Sequence, residues 1–158
     1  MKKVLLFTAV ILFVSNITAQ EDIDSLPVEE VVSANWESSY KTALKKSKKE
    51  NKPVLIYFTG SDWCGPCKIL DKKLFHSDKF KEIADKDLIL YEADNPRNKD
   101  LVEAKRLEET FSLIRKYHVK SYPTLVFVNH KGKMIGYKKG LILTEYYYPF
   151  IQSVIENY

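Results

Sequence analysis

The sequence contains few cysteines and histidines, the residues that most often bind zinc. Its 158 residues include only two cysteines and three histidines, His76, His118 and His130. A zinc ion held by both cysteines would need two further ligands, and none of the histidines stands at ligand spacing from the cysteine pair. We therefore expect no metal site and no bound cofactor.

A large excess of charge of either sign is also missing. The chain has 25 Lys and Arg against 21 Asp and Glu, a formal net charge of +4. Lys2 and Lys3 are the only charged residues among residues 1–19, so a chain lacking that segment has 23 basic and 21 acidic residues. So small an excess does not indicate a nucleic-acid partner. We interpret the lysines between Lys41 and Lys52 as the solvated face of a helix.

The apolar run near the N-terminus is too short to span a bilayer. It extends from Val4 to Val14, about 11 residues, whereas a spanning helix needs about 20. Two lysines precede it and a short polar stretch ending at Ala19 follows it. This pattern predicts a signal peptide over residues 1–19, and hence a periplasmic or otherwise secreted protein with no stable membrane insertion after cleavage. The alternative is an uncleaved membrane anchor.

The two cysteines lie close together, in the run Trp63-Cys64-Gly65-Pro66-Cys67. Thiols three positions apart can close a small disulfide ring and exchange electrons with another disulfide. A structural disulfide is the alternative in an exported protein. Because so short a loop restricts the unfolded chain little, it would add little stability. The spacing therefore favours a redox function.

Helical and strand patterns alternate after a polar lead-in over residues 20–35, and we expect one domain over residues 36–158. The patterns predict four strands, over 53–59, 87–94, 124–129 and 133–139. They also predict five helices: from Trp36 to Asn51, after Cys67, after Ser77, from Leu101 to Tyr117, and from Thr144. Asn35 is the expected N-cap of the first helix, and the second is expected to have Ile69, Leu70, Leu74 and Phe75 on one side. Strands separated by helices are expected to be parallel, and the last two, joined by a tight turn, antiparallel.

This order of elements, with the cysteine motif after the first core strand, resembles the thioredoxin family. The strongest element is the run from Trp63 to Lys68, which matches the thioredoxin active-site motif. A second element is Tyr122-Pro123-Thr124, which leads directly into a strand. The resemblance implies an α/β thioredoxin fold, with a central mixed β-sheet flanked by helices on both faces.

The resemblance also implies a role for each cysteine. Cys64 would be the exposed nucleophile at a helix N-terminus, where backbone N–H groups favour an anion. Its thiolate would attack a disulfide of a target protein, and the less exposed Cys67 would then release the reduced target. The resemblance also implies that the pKa of the Cys64 thiol is lower than that of a free cysteine, as it is in thioredoxin.

Five further residues are predicted to bind the substrate. Gly65 and Pro66 shape the motif, and Trp63 offers an apolar surface beside the sulfur. In thioredoxins the proline at the position of Pro123 is cis and faces the cysteine pair. It leaves the backbone of Tyr122 free to pair with an extended substrate segment.

The sequence departs from the family in two places. Thioredoxins usually carry a buried aspartate on the strand before the motif, whereas this chain has Tyr57 or Phe58 there. Glu92, on the next strand, is a candidate to point toward the site. The stretch 97–109 makes the connection to Pro123 longer than in a minimal thioredoxin, and we expect it to add helical turns.

These observations together predict an exported thiol–disulfide oxidoreductase that reduces protein disulfides. Its partners would be protein disulfide or dithiol substrates and, by analogy with the family, a membrane thiol carrier as electron donor. An oxidase or isomerase using the same cysteines is the first alternative. A partner-binding or chaperone module with little turnover is the second.

Overall fold

The computed structural model describes residues 34–158. The predicted signal peptide and residues 20–33 of the lead-in lie outside the described residues. The described elements are α1 (Tyr40–Glu50), β1 (Val54–Thr59), α2 (Gly65–Leu70), a π-helical turn (Asp71–Phe75), α3 (Asp78–Asp87), β2 (Ile89–Asp94), a 3-10 turn (Lys99–Leu101), α4 (Ala104–Lys116), β3 (Thr124–Val128), β4 (Met134–Lys139), a 3-10 turn (Thr144–Tyr146) and α5 (Tyr147–Glu156). Within this part of the chain, no helix has both the length and the apolar character needed to cross a bilayer.

The four strands form one mixed sheet in the order β2-β1-β3-β4. β1 pairs with β2 in parallel, and β3 pairs with β4 antiparallel, as predicted. β3 is antiparallel to β1, so the expectation of parallel strands across every intervening helix is wrong here. The Tyr117 hydroxyl, just past α4, donates to the Gly132 carbonyl in the β3–β4 turn. Residues 118–123 then lead the chain back to the opposite end of the sheet, where Thr124 starts β3 beside Phe58.

The inner strands β1 and β3 are buried on both faces, which confirms the predicted mixed sheet with helices on each side. Leu55 and Tyr57 of β1 pack with α2, α3 and α5 in one apolar cluster. The alternate residues Ile56 and Phe58 pack with α1 and α4 in a second cluster. Because successive side chains of a strand point to opposite faces, a strand buried on both sides reads as a continuous apolar run.

The first helix starts later than its pattern indicated. Ser39 is the N-cap of α1, and its Oγ accepts a hydrogen bond of 3.1 Å from the N–H of Thr42. Asn35 is therefore not the cap. Trp36 forms an isolated bridge to Leu90, and its side chain packs with the first cluster, whereas Tyr40 packs with the second. The helical spacing of the two aromatic residues was misleading because they lie on opposite faces of the sheet.

The helix that follows the cysteine motif changes its winding. α2 passes directly into the π-helical turn, which places Leu70, Leu74 and Phe75 in the core. Ile69 is 45% exposed, so its predicted place on the buried side is wrong. The predicted cap at Ser77 is confirmed, because its Oγ accepts from the N–H of Phe80. The stretch 97–109 holds a 3-10 turn and the start of α4.

Candidate active site

The two cysteines form a disulfide at the N-terminus of α2. β1 ends at Thr59, and the turn after it is closed by a 2.8 Å hydrogen bond from the N–H of Cys64 to the carbonyl of Gly60. Cys64 is the N-cap residue of α2, and its Sγ accepts from the N–H of Cys67 at 3.2 Å. The first sulfur therefore receives a backbone donor of the helix N-terminus, as the sequence predicted.

The predicted exposure of Cys64 is wrong for this disulfide form. Cys64 is 3% exposed and Cys67 is 1% exposed. The reason is that both sulfurs belong to the first apolar cluster, against which the half-buried rings of Trp63 and Tyr122 pack. A partner must therefore displace or slide past neighbouring side chains to reach the disulfide.

The rings of Trp63 and Tyr122 contact each other, and Asn95 forms a hydrogen bond with each of the two side chains. Their rings lie 5.4 Å apart in an edge-on arrangement. The indole N–H of Trp63 donates to the Asn95 carbonyl at 2.9 Å, and the Asn95 side-chain amide donates to the Tyr122 hydroxyl at 3.2 Å. Gly60 completes the arrangement, because a Cβ there would collide with the Trp63 ring. The sequence analysis assigned no role to Gly60, although its position just before the motif could have indicated one.

The loop that carries Tyr122 is fixed on both sides. The Tyr122–Pro123 peptide bond is cis, and Pro123 is buried. The Pro123 carbonyl accepts from the N–H of Gly140 at 2.8 Å, and the Thr124 hydroxyl donates to the Ser121 carbonyl at 2.8 Å. These bonds leave the backbone groups of Tyr122 without a backbone partner in residues 34–158.

The sequence matches a known family over most of its length. Residues 40–154 match the profile of the family described as Thioredoxin-like domain. The chain belongs to the thioredoxin-like family.

Similar proteins include two from Chlamydia pneumoniae. The chain is 36% identical to the disulfide bond reductase DsbH over 108 residues, which are 66% of this chain and 64% of DsbH. It is 29% identical to the thioredoxin-related protein DsbJ over 100 residues, 63% of this chain and 28% of DsbJ. The chain thus spans less than two thirds of the length of either relative. A solved structure of DsbH oxidoreductase superposes with a TM-score of 0.73 at 28% identity, covering 86% of this chain and 94% of that one.

Two aspartates connect the motif loop of this thioredoxin-like domain to the end of β2 and to the segment that follows it. The Asp62 carboxylate accepts from the N–H groups of Arg97 and Asn98, each at 2.9 Å. The hydrogen bond from Asn98 is the main reason why the pKa of Asp62 is lowered. Asp94 accepts from the N–H of Ser61 at 2.9 Å. The start of the stretch 97–109 thus helps to position the cysteine motif, a contact that the sequence reading missed.

Of the two residues proposed for the place of the buried aspartate of thioredoxins, Tyr57 lies in the same apolar cluster as the cysteines, whereas Phe58 lies in the other cluster. Tyr57 is buried, and its hydroxyl donates to the Cys67 carbonyl at 3.1 Å. Glu92 is its partner in the parallel β1–β2 register, so the two side chains lie on the same face of the sheet. Burial raises the pKa of Glu92 to about 7, and the negative charges of Asp94 and Asp71 add to this effect. The arrangement puts a carboxyl group that titrates near neutrality beside the tyrosine that supports Cys67.

Glu92 is expected to make the stability of the oxidised domain depend on pH. Its pKa is about 7 when folded against 4.5 ordinarily, so the folded state holds the proton more tightly. The free energy of unfolding should therefore fall as pH rises from 4.5 to 7. Replacement of Glu92 by Gln should remove this fall and stabilise the domain at pH 8 by about 2 kcal/mol.

Urea unfolding at several pH values between 4.5 and 8 measures this difference. The matched control is Glu108→Gln, which alters an exposed carboxylate on α4 and should leave the pH profile unchanged. A constant difference between wild type and Glu92→Gln at every pH would contradict the prediction.

The three histidines are not gathered at the disulfide. His76 follows the π-helical turn, and its Nδ1 lies 3.0 Å from the Asp71 carbonyl oxygen. His118 follows α4 and His130 lies in the β3–β4 turn. Over residues 34–158, no three His, Cys, Asp or Glu side chains are grouped so that they could hold a metal ion.

Proposed function

We propose that this chain is an exported thiol–disulfide oxidoreductase that reduces disulfides of other proteins at Cys64 and Cys67. The observation that carries the proposal is the disulfide at the start of α2, with the first sulfur hydrogen-bonded to the N–H of Cys67. A donor in that position stabilises a thiolate at Cys64 once the pair is reduced, and the thiolate is the reactive form. Similarity to a protein named as a disulfide bond reductase supports the proposed direction.

The reaction begins from the dithiol form. The Cys64 thiolate attacks one sulfur of the target disulfide, and the other target sulfur leaves as a thiolate that takes up a proton. Cys67 loses its proton and attacks the Cys64 sulfur of the mixed disulfide. The target leaves with both thiols, and the pair closes to the disulfide described above. Two electrons pass from the cysteine pair to the target, and an external dithiol must return them.

Five residues are proposed to bind the target around the sulfurs. Gly65 and Pro66 are exposed, and open space adjoins the Gly65 Cα. Trp63 and Tyr122 pack against the apolar cluster that contains both cysteines, and the exposed parts of their rings would give an apolar contact surface. The unpaired backbone of Tyr122 beside Pro123 is available to an extended target segment, in the manner of an added strand.

The proposed location is the periplasm or another secreted compartment. The lysine-led apolar run supports a signal peptide over residues 1–19. We propose that a lead-in over 20–35 and a thioredoxin-like domain over 36–158 follow it, and the family match over residues 40–154 supports that domain. Because the bacterial periplasm is kept oxidising, a reductase there needs a continuous supply of electrons. We propose a membrane thiol carrier as the donor.

Two assays on the purified domain test the activity and its direction. The domain should accelerate insulin-disulfide reduction by dithiothreitol well above the rate with dithiothreitol alone. In equilibrium with glutathione, the cysteine pair should have a reduction potential below about −200 mV, on the side of the reducing members. A potential near that of a strong oxidant, about −120 mV, would instead indicate the oxidase. Stable target binding without any acceleration would indicate a binding module.

A further inference from the structure

A groove of about 310 Å³ lies on the α4 side of the sheet, and neither cysteine is among its lining residues. One wall is the returning segment 117–121, and the other is β4. Thr124 and Val126 of β3 form the floor, and they pair with Lys139 and Tyr137 of β4. The groove therefore runs beside the outer strand of the sheet.

The lining of this groove carries basic side chains and no acidic ones. His118, Lys120 and Lys139 line it, and no Asp or Glu is among its lining residues. Neither lysine forms an ion pair or a side-chain hydrogen bond with a residue of the described part of the chain. Between the charges, the side chain of Tyr137 is 58% exposed. An anionic ligand with apolar groups would match this combination.

The neighbouring edge of the sheet is open. β4 is an outer strand, and within residues 34–158 its residues form no backbone hydrogen bonds apart from the ladder with β3. The opposite edge differs, because Trp36 bridges to Leu90 and the N–H of Glu37 donates to the Leu90 carbonyl at 2.8 Å. An extended segment added to β4 would place every second side chain on the face of the groove.

We propose that the groove and the open edge of β4 bind an extended acidic segment of a partner protein. The backbone of such a segment would pair with β4, its carboxylates would meet Lys120 and Lys139, and its apolar side chains would cover Tyr137. Lysines on an edge strand oppose pairing with neutral or basic segments. They therefore select for acidic ones.

The proposal depends on the proposed function in one respect, because the partner that carries the acidic segment would exchange disulfides with Cys64 and Cys67. Ser121 and Thr124 line the groove and bracket Tyr122 and Pro123. A partner bound in the groove would therefore also lie next to the loop that carries Tyr122 and Pro123. The backbone donors and acceptors of β4 match a peptide better than they match a nucleic acid or a lipid surface.

Fluorescence anisotropy with the full-length oxidised protein tests the proposal. The probe is a fluorescein-labelled ten-residue peptide in which Glu alternates with Val and Leu. The double variant Lys120→Glu/Lys139→Glu should weaken binding by about tenfold or more at low salt. Tyr137→Ala should weaken it as well. The matched control is Lys41→Glu/Lys105→Glu, which makes the same change of net charge at exposed sites elsewhere and should alter affinity less than about twofold.

Any of the following results would overturn the proposal. The first is an equal loss of affinity in the control variant, which would indicate nonspecific attraction. The second is equal binding of a peptide with Lys in place of Glu, or no binding at millimolar peptide. The third is preferential binding of an oligonucleotide or of anionic lipid vesicles at the same lysines. Insulin reduction is measured on the same variants and on Cys64→Ser. If thiol exchange fails while anisotropy behaves as expected, only the proposed function is wrong.

Discussion

Replacement of Cys67 by Ser should leave the protein covalently attached to its targets through Cys64. In this variant the Cys64 thiolate still attacks a target disulfide, but no second thiol is present to displace the target. We expect mixed disulfides that persist through non-reducing electrophoresis and disappear on addition of dithiothreitol. Catalysed insulin reduction by dithiothreitol should fall strongly, because dithiothreitol, and no longer Cys67, must then release the target from each mixed disulfide.

Cys64→Ser is the matched control for this experiment. It also removes one sulfur of the pair, yet it should form no adducts, since serine is not a thiol nucleophile and the backbone N–H of Cys67 donates to the sulfur of Cys64. Mass spectrometry of the trapped proteins would identify the targets. Adducts formed equally by Cys64→Ser would show that the assignment of the attacking sulfur to Cys64 is wrong.

Replacement of Phe75 by Ala should cause the largest loss of stability among single changes near the site. Phe75 is 1% exposed and lies at the centre of an aromatic cluster beneath α2. Its ring centroid lies 4.6 Å from that of Tyr57, 4.9 Å from that of Phe80 and 5.3 Å from that of Trp36. Truncation leaves a cavity among rings that cannot all move inward, so we expect a loss of about 3–5 kcal/mol in the free energy of unfolding.

Urea denaturation of the oxidised protein measures this loss. Tyr146→Ala is the control, because its side chain is 60% exposed and its truncation should change the free energy by less than about 0.5 kcal/mol. A loss below about 1 kcal/mol for Phe75→Ala would mean that the cluster does not support the cysteine helix as described. Because a domain of this size is typically stable by only about 5–15 kcal/mol, the expected loss is a large part of the total.

The parts of the fold that were predicted correctly depend on local patterns. The apolar run of β1 specified a strand buried on both faces, and Ser77 specified a helix start. The errors come from contacts between residues far apart in sequence. Trp36 and Tyr40 have the spacing of neighbours on one face of a helix, but their side chains pack on opposite sides of the sheet. The direction of β3 depends on where the chain turns after α4, which no local pattern encodes.

The candidate site shows the same division. The sequence predicted roles for Cys64, Cys67 and Trp63 because they share one short motif, and for Tyr122 because it precedes a proline at a strand start; these roles stay predictions. The contact of Asn95 with both aromatic rings was not predicted, since it brings together three separate parts of the chain. The depth of Cys64 was misjudged for a related reason. Position at a helix start indicates access to backbone donors, whereas access to solvent depends on which distant side chains cover the sulfur.

The cover over the disulfide has a consequence for how the protein behaves in a mixed redox environment. Trp63 and Tyr122, joined through Asn95, pack against the apolar cluster that contains both sulfurs, and these sulfurs have almost no contact with solvent. A thiol can therefore reach a sulfur only after neighbouring side chains move aside. We expect this movement to set the rate at which the pair reaches redox equilibrium, while the position of that equilibrium stays the same.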